Sequence, residues 1–93
     1  MQNDATSLRA QLEEHQTFPC KFSFKVIGDN TPELTAAVRT AAERPEVAAE
    51  ISERPSGKGN YLALTIRILM RSADDVLDTY ARLRKVPGVR YLL

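Results

Sequence analysis

Between Tyr61 and Met70 every second residue is large and aliphatic: Leu62, Leu64, Ile66, Ile68 and Met70, with Tyr61, Ala63, Thr65 and Arg67 between them. A period of two held over this length describes a strand buried on one face and open on the other. The stretch Phe18 to Ile27 repeats the pattern. Phe18, Cys20, Phe22, Phe24 and Val26 fall on its inner side, and Lys21, Ser23 and Lys25 on its outer side. Two such strands need a layer of helix to cover their apolar face.

The segments between them supply it. Thr31-Pro32-Glu33 starts a helix, because Thr31 can cap, Pro32 suits the first helical position and Glu33 complements the positive helix end. Leu34, Ala37, Val38, Ala41 and Ala42 then recur at threes and fours until Pro45 ends the helix. Ser72 with Asp75 opens a second helix, whose buried stripe is Val76, Leu77, Tyr80 and Leu83, and Pro87-Gly88 stops it. Val47, Ala49 and Ile51 read as a weaker edge strand, and the turn-rich Pro55 to Asn60 joins it to the Tyr61 strand as a hairpin. Gly28-Asp29-Asn30 breaks the first strand, and Val89 to Leu93 is a short last one.

The order βαββαβ, with right-handed crossovers, gives a ferredoxin-like α+β sandwich. Two helices cover one face of a four-stranded antiparallel sheet, and the other face stays open. Phe22, Phe24, Val26, Leu64, Ile66 and Ile68 are expected to be buried together. Residues 1–17 are polar, with Leu8 and Leu12 four apart, and read as an arm that is disordered or loosely helical; residues 18–93 form the single domain.

Composition narrows the function classes. A chain of 93 residues makes one domain, and 43% apolar with 27% charged residues is ordinary for a globular one. A net charge of +1 gives no overall pull toward nucleic acid or membrane. No apolar run approaches the ~20 residues of a membrane helix. The first fifteen residues lack the basic region and apolar stretch of a secretory signal. One cysteine allows no internal disulfide, so a cytoplasmic setting is expected.

The residues able to carry chemistry are few. His15 lies in the arm, and Cys20 alternates with core phenylalanines as a small hydrophobe would. One Cys and one His cannot make the common zinc sets, and no metal or cofactor is implied. Asp74, Asp75 and Asp78 belong to a helix start, with Asp78 four residues before Arg82. Ser56-Gly57-Lys58-Gly59-Asn60 superficially resembles a phosphate loop, but a strand follows where that motif needs a helix. It reads as a turn, with Ser56, Lys58, Asn60 and Tyr61 as a surface recognition tip. Gly28, Asp29, Asn30 and Thr31 precede a helix whose free N–H groups suit a carboxylate or phosphate, and form the ligand-binding candidate. Lys21, Lys25, Arg67 and Arg90 are the cations of the open sheet face. RNA-recognition domains share this chain order, yet Asn60 and Leu62 stand where their signature has aromatics, so nucleic-acid binding is the alternative rather than the first reading.

Three segments carry a family resemblance: Phe18-Pro19 through Phe24-Lys25-Val26-Ile27-Gly28, then Pro55-Ser56-Gly57-Lys58-Gly59-Asn60-Tyr61, then Tyr80 with Val89-Arg90-Tyr91-Leu92-Leu93. Together they resemble the YbeD-like family of small bacterial proteins of unknown function. The resemblance implies a fold similar to ACT domains, which bind amino acids and similar effectors and commonly join side by side, and it implies no catalysis. The expectation is a non-catalytic regulatory or adaptor module that binds a small metabolite or a protein partner, with weak homodimer formation through the open face or an edge.

Overall fold

The computed structural model describes residues 4–93. Its elements are α1 (Asp4–His15), β1 (Cys20–Asp29), α2 (Pro32–Ala41), β2 (Glu50–Pro55), β3 (Tyr61–Met70), α3 (Ala73–Arg84) and β4 (Val89–Leu92). From β1 onward the order is βαββαβ, and the antiparallel sheet runs β2-β3-β1-β4. This is the ferredoxin-like arrangement expected. Among the described residues no helix is long and apolar enough to cross a membrane.

The sheet centre is the long pairing of β1 with β3, from Cys20 opposite Met70 to Asp29 opposite Tyr61. Its covered side holds Phe24, Val26, Leu64, Ile66 and Ile68, all buried, under Leu34 and Val38 of α2 and Val76 and Leu83 of α3. Phe24 packs tilted against Phe22 and edge-on against Tyr80, with ring centroids 4.9 Å away in both cases. Each helix starts as its sequence dictates. Thr31 Oγ1 accepts from the Leu34 N–H, and Ser72 Oγ accepts from the Asp75 N–H, each at 3.2 Å. Asp75 answers by accepting from the Arg71 N–H at 3.0 Å. Of the arm expected over residues 1–17, residues 4–15 form α1, whose Leu12 joins the same core.

Several expectations change. Phe22 and Cys20 are half-buried, not buried, because β4 flanks β1 only near Val26–Gly28 and leaves the start of β1 as a free edge. β1 runs through Gly28 to Asp29 instead of breaking there. α2 ends at Ala41, before Pro45 is reached. Pro45 and Glu46, the latter at φ 65, make a turn closed by Arg44 and Val47. The chain therefore enters the sheet only at Glu50, and β2 is Glu50–Pro55, starting three residues after the expected Val47. Pro55 is tolerated inside it because β2 is an edge strand. On α3 the buried stripe is Ala73, Val76, Thr79 and Leu83, with Leu77 and Tyr80 half-buried at its flank.

Gly28 is buried where β1 crosses α2, and a Cβ there would stand 2.6 Å from the Gly88 carbonyl oxygen. Beyond β1 lies β4, whose outer edge is unpaired.

Candidate functional site

Each residue of the expected ligand-binding quartet makes a contact within the fold. Gly28 makes the close approach to Gly88, and Asp29 Oδ1 accepts from Arg90 Nε at 3.1 Å. Thr31 caps α2. Asn30 reaches the other way: its N–H donates to the Asn60 carbonyl at 3.2 Å, and its Nδ2 donates to the Gly59 carbonyl at 2.8 Å. The structure thus joins the two candidate loops that the sequence presented separately. Asp29 and Thr31 remain on the wall of an open cleft of about 410 Å³, with Glu33, Leu34, Ala37, Pro87 and Gly88.

The recognition tip divides in the same way. Ser56 Oγ accepts from the Tyr61 N–H at 3.2 Å, and the Ser56 carbonyl accepts from the Gly59 N–H at 2.8 Å, so Ser56 closes the turn. Gly59 holds φ 75, which suits glycine. Lys58 is exposed at the tip, and Tyr61 belongs to the open sheet face.

That face gathers the most. Alternation places Lys21, Ser23, Lys25, Ile27 and Asp29 of β1 on it, with Tyr61, Ala63, Thr65, Arg67 and Leu69 of β3, and Glu50, Ser52 and Arg54 of β2. Tyr91 lies opposite Ile27, and the Leu93 backbone pairs with Lys25. Of the four cations expected here, two are neutralised: Lys21 Nζ donates to Glu50 Oε1 at 3.0 Å, and Arg90 pairs with Asp29. The Lys21 ammonium, by its hydrogen bond and its charge, holds the Glu50 carboxyl below the usual glutamate range. The bond from Arg90 to Asp29 raises the guanidinium pKa further above its already high value.

Lys25 and Arg67 have no carboxylate partner within 4 Å among the described residues, nor does Arg54, which is not among the four cations expected on this face. These three surround Thr65. Lys25 lies opposite Thr65 on one flank, Ser52 opposite it on the other, and Arg54 opposite Ala63. The short side chains leave a depression of about 450 Å³ lined by Lys25, Ser52, Glu53, Arg54, Ala63 and Thr65. A second, of about 230 Å³, adjoins it toward Arg67 and Glu50. Glu53, at the rim, accepts from the Thr35 hydroxyl of α2 at 3.1 Å.

The remaining candidates stand apart from this face. His15 is exposed on α1, and Cys20 Sγ lies 3.8 Å from Gln16 Oε1. Asp74 pairs with Arg9, and Asp78 with Arg82 at 2.9 Å as expected. Asp75 and Asp78 also face Arg44, a mostly buried arginine outside the sequence reading. Arg44 Nη2 donates to Thr79 Oγ1 at 2.7 Å, to the Asp75 carbonyl at 2.8 Å and to Asp78 Oδ2 at 3.1 Å, tying α3 to the turn after α2. Among the described residues no cluster of His, Cys, Asp and Glu is placed to hold a metal ion.

The comparisons agree with this architecture. The C-terminal domain of the MgtC protein from Mycobacterium tuberculosis superposes with a TM-score of 0.63 at 20% identity, over 84% of this chain and 88% of that one. The ACT domain of the GTP pyrophosphokinase of Chlorobium tepidum superposes with a TM-score of 0.65 at 15% identity, over 78% of this chain and 94% of that domain. Both likenesses are of fold. In sequence, the chain is 35% identical over 88 residues to UPF0250 proteins of Shewanella oneidensis and of Shewanella sp. strain ANA-3, covering 92% of this chain and 99% of each relative. A family model described as a protein of unknown function, DUF493, matches residues 13–93. The chain therefore belongs to the DUF493 family, the UPF0250 or YbeD-like proteins that its own segments resemble.

Proposed function

We propose that the chain is a non-catalytic regulatory or adaptor module that works by holding a partner against the uncovered face of its sheet. One observation carries this reading. Tyr61, Tyr91 and Leu93 are exposed by 46, 66 and 65%, and all three stand on that face. Large apolar groups gathered on a surface the fold does not cover mark contact sites. The fold likeness to a domain named as part of a GTP pyrophosphokinase favours an accessory role as well. Amide NMR shifts, followed while amino acids, nucleotides and short peptides are added, test the reading. A binder that moves Ile27, Tyr61 and Tyr91 supports it. Binders confined to the helices overturn it.

The cleft beside the start of α2 favours a second reading. Its floor of Leu34, Ala37 and Pro87 and its rim carboxylates Asp29 and Glu33 suit a small molecule with an apolar body and an amino group. Such a ligand would raise the melting temperature in a screen of amino acids and amines, because it binds only the native state. A screen without any shift removes this reading and leaves the first standing.

A further inference from the structure

Resting on the adaptor reading, we infer that the partner is an acidic protein segment, whose carboxylates lie over Lys25, Arg54 and Arg67 and whose apolar side chains rest on Ile27, Tyr61 and Tyr91. Five cationic side chains stand on this face and its β4 rim against two carboxylates, in a chain whose formal net charge is only +1. The two carboxylates are already engaged by Lys21 and Arg90, so the excess falls on the three cations around Thr65. Around Thr65 the residues Ser23, Ser52 and Ala63 carry no charge; the acids within reach are Glu50, opposite Arg67 and already engaged by Lys21, and Glu53, which lines the depression from its rim and accepts from Thr35.

The spacing distinguishes a segment from a small anion. Strands lie about 4.8 Å apart and alternate residues rise about 6.7 Å, which puts the three backbone positions roughly 8–14 Å from one another. One phosphate or carboxylate meets all three only where the long side chains converge on it; heads that stand over their own backbone positions it cannot meet together. Alternate acids of an extended peptide, about 7 Å apart, can. One row further along lie Ala63 and Ile27, with Tyr91 beside Ile27, so a segment crossing the depression would set its apolar side chains on that shelf. The same shelf disfavours a nucleic acid. Asp29, opposite Tyr61, is paired with Arg90, so the strip where a phosphate backbone stacking its bases on the rings would pass carries no net positive charge.

The experiment uses the full chain and a fluorescent peptide of glutamates interrupted by leucines, read by anisotropy. The controls are the same length of polyglutamate, the lysine counterpart of the mixed peptide, and single-stranded oligouridylate. The mixed peptide should bind, more weakly as salt rises, and should move the amides of Thr65, Ile27 and Tyr91. Removing Lys25, Arg54 and Arg67 together, as Lys25→Ala, Arg54→Ala and Arg67→Ala, should weaken it about tenfold while the melting temperature holds, since each exposed pair contributes only a modest amount. Tyr91→Ser should lower affinity for the mixed peptide and not for polyglutamate. Tighter binding of oligouridylate than of the peptide overturns the inference in favour of a nucleic acid. Equal binding of the acidic and basic peptides, or unchanged affinity in the triple variant, also overturns it. If the acidic peptide fails while another ligand moves the same face, the inference falls and the adaptor reading stands; shifts confined to α2 and α3 would remove both.

Discussion

Replacing Gly28 with alanine tests the packing of the sheet against α2 most directly. In an open site the change would stabilise by about 0.4–1 kcal/mol, since alanine restricts the unfolded chain more than glycine does. Here the new Cβ meets the Gly88 carbonyl oxygen at 2.6 Å and the two Leu34 methyls at 2.9 and 3.1 Å. Carbon against a carbonyl oxygen normally rests at about 3.3–3.6 Å. Leu34 can turn aside, but the Gly88 oxygen is held, because it accepts from the Asp29 N–H at 3.1 Å and belongs to a glycine at φ 91. Overpacking of this kind costs about 1–3 kcal/mol, and loosening the Asp29 bond adds about 1 kcal/mol. The net expectation is destabilisation by about 2 kcal/mol, or a fall in melting temperature on the order of 10 °C for a domain of this size. Amide hydrogen exchange should localise the damage. Asp29 and the paired Lys25 and Leu93 amides should exchange faster, while the β2–β3 hairpin keeps its protection. Gly57→Ala is the internal control, since nothing lies within 4 Å of its Cβ position, and it should be neutral or slightly stabilising. A Gly28→Ala protein that melts at or above the parent temperature, with Asp29 still protected, would refute the account.

Phe24→Ala should cost about 3–5 kcal/mol in a urea titration, since the ring is fully buried against Phe22 and Tyr80 and leaves a cavity. Gly59→Ala should destabilise by more than about 1 kcal/mol because of the positive φ, whereas Lys58→Ala at the same tip should leave the urea midpoint unchanged. In an NMR pH titration Glu50 should ionise below the ordinary glutamate range, and Lys21→Ala should move its midpoint upward. Because the folded-state value is depressed, the contribution of the Lys21–Glu50 pair to stability is present above the unfolded glutamate pKa and disappears as pH falls through the folded one.

The parts of the fold that could be read from sequence are those where burial is one-sided and local. β3 declares itself because its inner residues all face α2 and α3. Thr31 and Ser72 declare the helix starts because a cap acts over three residues. The start of β2 differs because Val47, Ala49 and Ile51 alternate by accident across a turn, and nothing in their pattern reports the left-handed Glu46. Phe22 looked buried because the length of β4, which decides it, is written elsewhere in the chain. The candidate site follows the same division. Lys25 and Arg67 could be assigned to the open face from alternation alone. That Lys21 and Arg90 are neutralised depends on partners 29 and 61 residues away. Arg54 was missed because its face is fixed only once Ile51 is set opposite Ile66, after which Glu50, Ser52 and Arg54 follow on the other side.

The two borders of the sheet are unlike. β2 finishes in Glu53-Arg54-Pro55, and a proline offers no N–H to an incoming strand. β4 has no such guard along Val89–Leu92. Growth of the sheet by a further strand is therefore hindered at the end of β2 and less so along β4. If that strand were the β4 of a second copy, the pair would close around a two-fold axis and present two blunted ends to the solution. A filament needs a head and a tail that both accept strands, and here one of the two is blunted by Pro55.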